Sequence, residues 1–339
     1  MKIFYNYTVS SSVNNMTTNQ IFIIGMPRSG TKLLRGLLNK HPKLSFLSGE
    51  TEFLPYLDKY WQSWEGKKGL ANFDNFLQFY FYIIKLPYFI SKSYQGKLIE
   101  PQKWYDLCED YTLSGVFEAL ARHDANAYKD MIWGDKSPSY IRHIPLIKKH
   151  FPEAKILHII RDVRDYCLSI NKAWGKNMLR AAQRWADDVA KARKDGEKFE
   201  NDYFEIRYED LLEDPHKDLQ NVCSFLCVNY YQDLIELEKP TENIGDAKSQ
   251  SGIIKMNTKK YNSSMTTELR RKIEHITFPE LLKSGYQAES FLRQKKLTEI
   301  EKKLYQLQDG VQLVKARRHT GKSLFESVNF YLKAFKQSK

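Results

Sequence analysis

The sequence predicts an α/β fold, a P-loop-like doubly wound parallel sheet flanked by helices, with a C-terminal helical extension. Three observations predict it. Ile21–Ile24 is an apolar, largely β-branched run closed by a glycine-bracketed turn, Gly25 to Gly30, after which a helical pattern opens at Thr31. Two later apolar runs, Lys155–Ile160 and Tyr203–Arg207, are each followed at once by a helical segment. Strands that alternate with helices imply a parallel sheet covered on both faces. At 339 residues and 42% apolar content, the chain can fill the core of one large domain.

The elements follow in order. Residues 1–19 are polar, carry no apolar core of a signal segment, and read as a flexible leader. The first helix runs from Thr31 to about Lys40 and stops before Pro42. Leu44–Leu47 reads as a second short strand ending at Ser48-Gly49. Residues 55–130 are helix-rich, and the very aromatic stretch Phe73–Tyr94 is expected to be a buried helix pair, with a substrate-facing lid or a membrane-touching surface as the alternative. Ser137 and Pro138 suit an N-cap and a first helical residue, so Lys136 is expected just before a helix Ser139–His150. Ligands of parallel sheets bind beyond the carboxyl ends of the strands. Arg28, Lys136, Arg161 and Tyr208 all fall just past predicted strand ends and are expected on one rim.

The main domain is expected over 20–288 and the helical extension over 289–339. In the extension Leu297, Ile300, Leu304, Leu307, Val311 and Val314 alternate spacings of three and four, the repeat of a coiled-coil seam. That pattern fits either self-association through 297–314 or a helix packed on the main domain. Lys315–Lys339 mixes basic and large apolar residues, the pattern of an amphipathic helix that suits an anionic membrane or simple packing.

The net charge is +12, from 53 Lys+Arg against 41 Asp+Glu. Such an excess fits an anionic ligand or an anionic membrane, and nothing in the chain matches a nucleic-acid module. The four cysteines, Cys108, Cys167, Cys223 and Cys227, have neither disulfide-framework nor zinc spacing. Cys223 and Cys227 are expected to pack inside one apolar helix. With no run of about 18 apolar residues anywhere, a cytoplasmic, at most membrane-peripheral protein is expected.

The Gly25–Gly30 loop carries the chemistry. Strand, glycine loop and helix aim backbone N–H groups at an anion, so a phosphate or sulfate ester is expected at the helix start. The nucleotide-triphosphate motif G-x-x-x-x-G-K-[ST] is not met: Gly30 is followed by Thr31 and then Lys32, so the lysine is displaced and the magnesium-binding hydroxyl is out of place. Arg28 sits inside the loop instead. A site that needs no metal, with protein cations neutralising the ligand, is the expectation.

The run Pro27-Arg28-Ser29-Gly30-Thr31-Lys32-Leu33-Leu34 resembles the 5′-phosphosulfate loop of the sulfotransferases that use 3′-phosphoadenosine 5′-phosphosulfate (PAPS). Arg161, followed eight residues later by Ser169, is similar to that family's 3′-phosphate site. His41-Pro42 and then Gly49-Glu50-Thr51-Glu52 resemble the branch of tyrosylprotein and bacterial sulfotransferases. Lys32 departs from the usual Thr or Ser, and a late basic element is loosely matched by Ser251, Lys260 and Tyr261.

The resemblance implies a role for each residue. The backbone of Ser29, Gly30, Thr31, Lys32 and Leu33 would hold the 5′-phosphate, and Arg161 with Ser169 the 3′-phosphate. Tyr208, in Arg207-Tyr208-Glu209, would bond that phosphate or line the adenosine pocket. Arg28 and Lys136 would neutralise charge as the sulfuryl group leaves. Glu50 would take the proton of a hydroxyl or amine on a carbohydrate, lipid or peptide, with Glu52 and Asp135 as alternative bases. Arg164 and Asp165 read as a surface ion pair. The competing readings are a P-loop nucleotide kinase or hydrolase, and a nucleotide-binding scaffold.

Overall fold

The computed structural model describes residues 20–237, 252–289 and 293–318. Five strands form one parallel sheet in the order β2-β3-β1-β4-β5: β1 Gln20–Gly25, β2 Leu44–Phe46, β3 Ile132–Lys136, β4 Lys155–Ile160 and β5 Tyr203–Arg207. From central β1 the chain moves out to β2 on one side, returns through β3, and crosses over to β4 on the other. The strand order therefore reverses beside β1, where an open α/β sheet places its ligand crevice.

Every residue of β1 is buried. Phe22 and Ile24 enter one apolar layer, Ile21 and Ile23 the other. β4 repeats the pattern, with Ile156 and Ile160 on one side and Leu157 and Ile159 on the other. Both faces are covered, which is why these strands read as continuous apolar runs rather than alternating ones. The smaller layer packs helices Thr31–Leu38 and Pro215–Phe225 against the sheet. The larger gathers helices Leu113–Ala125, Val163–Trp174, Met178–Gly196 and Thr267–Lys283.

The aromatic stretch is the expected helix pair, Phe73–Ile83 and Pro87–Tyr94. Phe76 and Phe79 meet Trp104 edge-on at centroid distances of 5.6 and 5.5 Å, and Phe89 stacks on it at 5.7 Å.

Several boundaries differ from expectation. The first helix ends at Leu38, and β2 ends at Phe46. Lys136 is the last residue of β3 and stands, as expected, just before a helix start, but the helix after it is a 3-10 turn with Ser137 at its N-cap. The expected helix Ser139–His150 is two pieces, a 3-10 turn Pro138–Arg142 and an α-helix Ile144–His150. Pro145 is the cause: it has no N–H to give the carbonyl four residues back, and its ring crowds that turn. Cys223 is buried in its helix, but Cys227 lies past the helix end, exposed and left-handed at φ 57°.

Residues 1–19, Ser251 and residues 319–339 lie outside the described residues, and so do the expectations placed on them. Helix Glu299–Arg318 runs through Gly310 and docks by polar contacts. Asp309 Oδ1 accepts the Asn177 N–H at 2.7 Å, and Asp309 Oδ2 accepts from Arg180 at 2.6 Å. Of the predicted seam, Leu297 is buried in the main core, whereas Ile300, Leu304, Leu307 and Val311 are 80%, 51%, 69% and 54% exposed. No helix among the described residues is long and apolar enough to cross a membrane.

Candidate active site

The turn after β1 is held by a Ser29 N–H to Met26 carbonyl bond of 3.1 Å. Two of its residues are left-handed, Arg28 at φ 71° and Gly30 at φ 95°. A non-glycine residue there is strained and persists only when its surroundings fix it. Gly30 is required twice over, because a Cβ would also fall 2.3 Å from Cδ2 of Tyr208. Gly30 stands at the N-cap of helix Thr31–Leu38 without a side-chain cap, and no acidic residue occupies the first turn. The first N–H groups of that helix have no intrahelical acceptors and face the turn. Ser29 Oγ is buried there without a hydrogen-bond partner.

Arg28, Ser169, Arg161 and Tyr208 come together beside this turn. Arg28 Nε donates to Ser169 Oγ at 3.4 Å. Arg161 leaves the end of β4 and spreads its fork between two carbonyls, Arg28 O and Asn257 O, each at 3.1 Å. Its guanidinium lies 4.7 Å over the Tyr208 ring, while its Nε is buried without a partner. Asn257 Nδ2 donates to Tyr208 OH at 2.8 Å, and Trp185 Nε1 donates to Arg161 O at 3.1 Å. A planar donor fork held this way is preorganised for an oxyanion.

Lys136 and Glu50 form the other half of the site. Lys136 Nζ pairs with Glu50 Oε1, the lysine buried and the carboxylate partly open to solvent. Burial lowers the Lys136 pKa first, the Glu50 charge opposes this, and the nearby charges of Arg35 and Lys32 lower it further. Lys32 is thus within electrostatic reach of Lys136. Arg35 anchors the Glu50 loop by bonds from NH1 to the carbonyls of Ser48 at 2.7 Å and Leu47 at 3.3 Å. Glu52, two residues on, is left-handed at φ 52°. Its side chain reaches solvent, yet partial burial raises its pKa, a hydrogen bond with Ser139 lowers it, and the Glu50 charge raises it again.

Asp135, the third acidic candidate, is buried with both oxygens bonded, to Thr51 Oγ1 and to Ser137 Oγ at 2.8 Å. Ser137 spends its hydroxyl on this bond rather than on a helix cap.

Arg164 and Asp165 are no surface pair; both are buried. Arg164 is bound by Asp162, with NH2 to Oδ2 at 2.6 Å, and by Glu274 at 2.7 Å, and lies 4.1 Å over the Tyr261 ring. Asp165 Oδ1 accepts the Tyr261 N–H at 3.0 Å. Glu209 is a further anchor that sequence reasoning passed over: it accepts the Asp162 N–H at 3.1 Å and the Tyr286 hydroxyl at 2.6 Å. Asn257 was also missed, because no local pattern marks an asparagine that acts 96 residues from Arg161.

Residues 20–233 match the model of the sulfotransferase family. A Caenorhabditis briggsae protein named "Putative protein-tyrosine sulfotransferase" is 23% identical over 293 residues, covering 80% of this chain and 90% of the relative. The sulfotransferase domain from the curacin biosynthetic pathway has a similar fold, with TM-score 0.53, 20% identity, and 80% and 98% of the two chains covered. The sulfotransferase domain of the Synechococcus PCC 7002 olefin synthase aligns with TM-score 0.52 and 22% identity, over 80% of this chain and 96% of that domain.

Proposed function

The chain belongs to the sulfotransferase family, and from that premise we propose that it moves the sulfuryl group of PAPS to a hydroxyl or amine of a carbohydrate, lipid or peptide. A tyrosine hydroxyl lies within that range. Family membership sets aside the kinase, hydrolase and scaffold readings.

One observation carries the nucleotide assignment. The Arg161 fork is fixed by two carbonyls with Nε left over, next to Ser169, Arg28 and an uncapped helix start. Two anion-binding elements that close suit a ligand with both a 3′- and a 5′-phosphate. The N–H groups of Ser29, Gly30, Thr31, Lys32 and Leu33 hold the 5′-phosphate. Arg161 and Ser169 hold the 3′-phosphate, and Tyr208 lines the adenosine side. Buried Ser29 Oγ and Arg161 Nε then gain the acceptor they lack.

Sulfuryl transfer asks for alignment and charge neutralisation. As the acceptor oxygen bonds to sulfur, its proton passes to Glu50. The bond from sulfur to the bridging oxygen breaks, and the negative charge left on the 5′-phosphate is met by Arg28 and Lys136. The Lys136–Glu50 pair supports this division of roles, because one cation and one carboxylate stand side by side at the rim.

The four unpaired thiols support a reducing, cytoplasmic setting. The outward apolar face of helix Glu299–Arg318 supports self-association through 297–314. If Leu304→Glu leaves the sedimentation coefficient unchanged across a concentration series, that partner assignment fails. Membrane contact by the basic tail is tested by flotation with anionic vesicles.

Calorimetry with 3′-phosphoadenosine 5′-phosphate (PAP), ATP and ADP, each without magnesium, tests the nucleotide assignment. Preferential PAP binding that Arg161→Ala removes is the expected result. Preference for ATP overturns the assignment.

A further inference from the structure

We infer that Asp135 is a positioning residue: it anchors the loop that carries Glu50 to the strand that carries Lys136, and so sets the spacing of those two groups. The inference rests on the roles given to Glu50 and Lys136 above. It removes Asp135 from the candidate bases and gives it a different task.

Two chains of hydrogen bonds run toward this one carboxylate. In the first, the Leu54 N–H donates to Tyr140 OH at 3.0 Å. Thr51 commits its hydroxyl proton to Asp135 Oδ2, so the 2.7 Å contact between Tyr140 OH and Thr51 Oγ1 has tyrosine as the donor. In the second, the Glu52 N–H donates to Ser137 Oγ at 3.4 Å, and Ser137 donates to Asp135 Oδ1 at 2.8 Å. Each link has one donor and one acceptor, and both chains end on an acceptor with no proton of its own to give. Burial raises the Asp135 pKa to about 6, so at neutral pH the carboxyl is ionised and can end both chains.

The consequence is geometric. Thr51, Glu52 and Leu54 are each tied to this network, and Glu50 is the residue immediately before them. Asp135 is the residue immediately before Lys136. The left-handed backbone of Glu52 needs such restraint to persist. Asp135 itself is fully buried with both oxygens engaged, so it has no route to an acceptor proton. Misplacement of reacting groups by about 1 Å costs on the order of 100-fold in rate, and a loop released from Asp135 can shift that far.

The test compares Asp135→Asn, Thr51→Ser and Thr51→Val in the full chain. PAP affinity is read by calorimetry, PAP release from PAPS by single turnover with water and with 4-nitrophenol as probe acceptors, and amide hydrogen exchange at Thr51, Glu52 and Leu54. Asp135→Asn should keep PAP affinity within about 3-fold, slow PAP release about 10- to 100-fold, and speed exchange at those three amides. Thr51→Ser, which keeps the hydroxyl, should behave as the parent, and Thr51→Val should follow Asp135→Asn. Unchanged exchange at the three amides in Asp135→Asn overturns the inference. So does an unchanged PAP release rate while Glu50→Gln and Lys136→Met slow it. Should Asp135→Asn fail to fold, the contrast between Thr51→Ser and Thr51→Val decides by the same readouts. If Glu50→Gln and Lys136→Met release PAP at the parent rate, the roles of those two residues have failed, and amide exchange then decides the anchor alone.

Discussion

Tyr208 occupies the space that a side chain on Gly30 would need: a Cβ on Gly30 would lie 2.3 Å from Tyr208 Cδ2 and 2.7 Å from Cε2. The ring closes one side of the turn after β1 and lies under the Arg161 guanidinium, 4.7 Å away. The end of β5 therefore sets the shape of a loop that leaves β1.

Gly30→Ala should consequently damage two things at once. The left-handed backbone costs alanine roughly 1–2 kcal/mol, and the methyl pushes Tyr208 off the turn. PAP affinity should fall at least about tenfold, more than the melting temperature alone would explain. Calorimetry beside a thermal melt checks this, and parent-like affinity would show that the turn does not hold the ligand.

Arg161→Ala should weaken PAP by roughly 10- to 100-fold, the range for losing a charged hydrogen-bonding group at 1.5–3 kcal/mol. Adenosine 5′-phosphate, which lacks the 3′-phosphate, should bind nearly as before. Arg161→Lys should restore little, because a single ammonium cannot bridge the carbonyls of Arg28 and Asn257 while meeting a ligand. Equal losses for both nucleotides would move Arg161 away from the 3′-phosphate.

Glu50→Gln should leave PAP affinity in place and lower turnover about 100- to 10,000-fold, the range for removing a general base. Glu52→Gln should cost far less. Because Glu50 opposes the burial that depresses the Lys136 pKa, its loss should depress that pKa further. The rate falling with Glu52→Gln instead would transfer the base assignment to Glu52.

The parts of this site that were legible in the sequence are those set by local sterics. Ile21–Ile24 with Gly25 and Gly30 dictates strand, turn and helix within a dozen residues, and Lys155–Ile160 and Tyr203–Arg207 are strands with the expected bounds. Arg28, Arg161 and Tyr208 follow from being next to those strand ends. What escaped depends on residues far apart in the chain. Thr51 meets Asp135 across 84 residues and Tyr140 across 89. Arg164 looked like a solvent-facing charge because its partner Glu274 arrives 110 residues later and buries it. The break at His143 was signalled by Pro145, and the helical pattern on either side masked it.

Part of the acid sensitivity should arise from His158, in β4. This ring is fully buried in β4, with Nδ1 2.5 Å from Tyr203 OH and Nε2 without a partner. Burial lowers its pKa below the ordinary 6.5, while Glu205 opposes the shift. The folded chain therefore resists a proton that the unfolded chain takes up, so stability falls as pH drops below about 6.5, by at most about 1.4 kcal/mol per pH unit for one such group. Asp135 works in the opposite sense: its pKa, about 6, lies above the unfolded value, so the folded chain takes up that proton first and gains stability on the same descent. The two partly cancel in the parent, which makes the difference between variants the useful quantity. Denaturant melts from pH 7.5 to 5 should show a shallower acid loss for His158→Gln than for the parent. Parallel curves would mean that His158 takes up its proton equally in the folded and unfolded states, with Glu205 balancing burial.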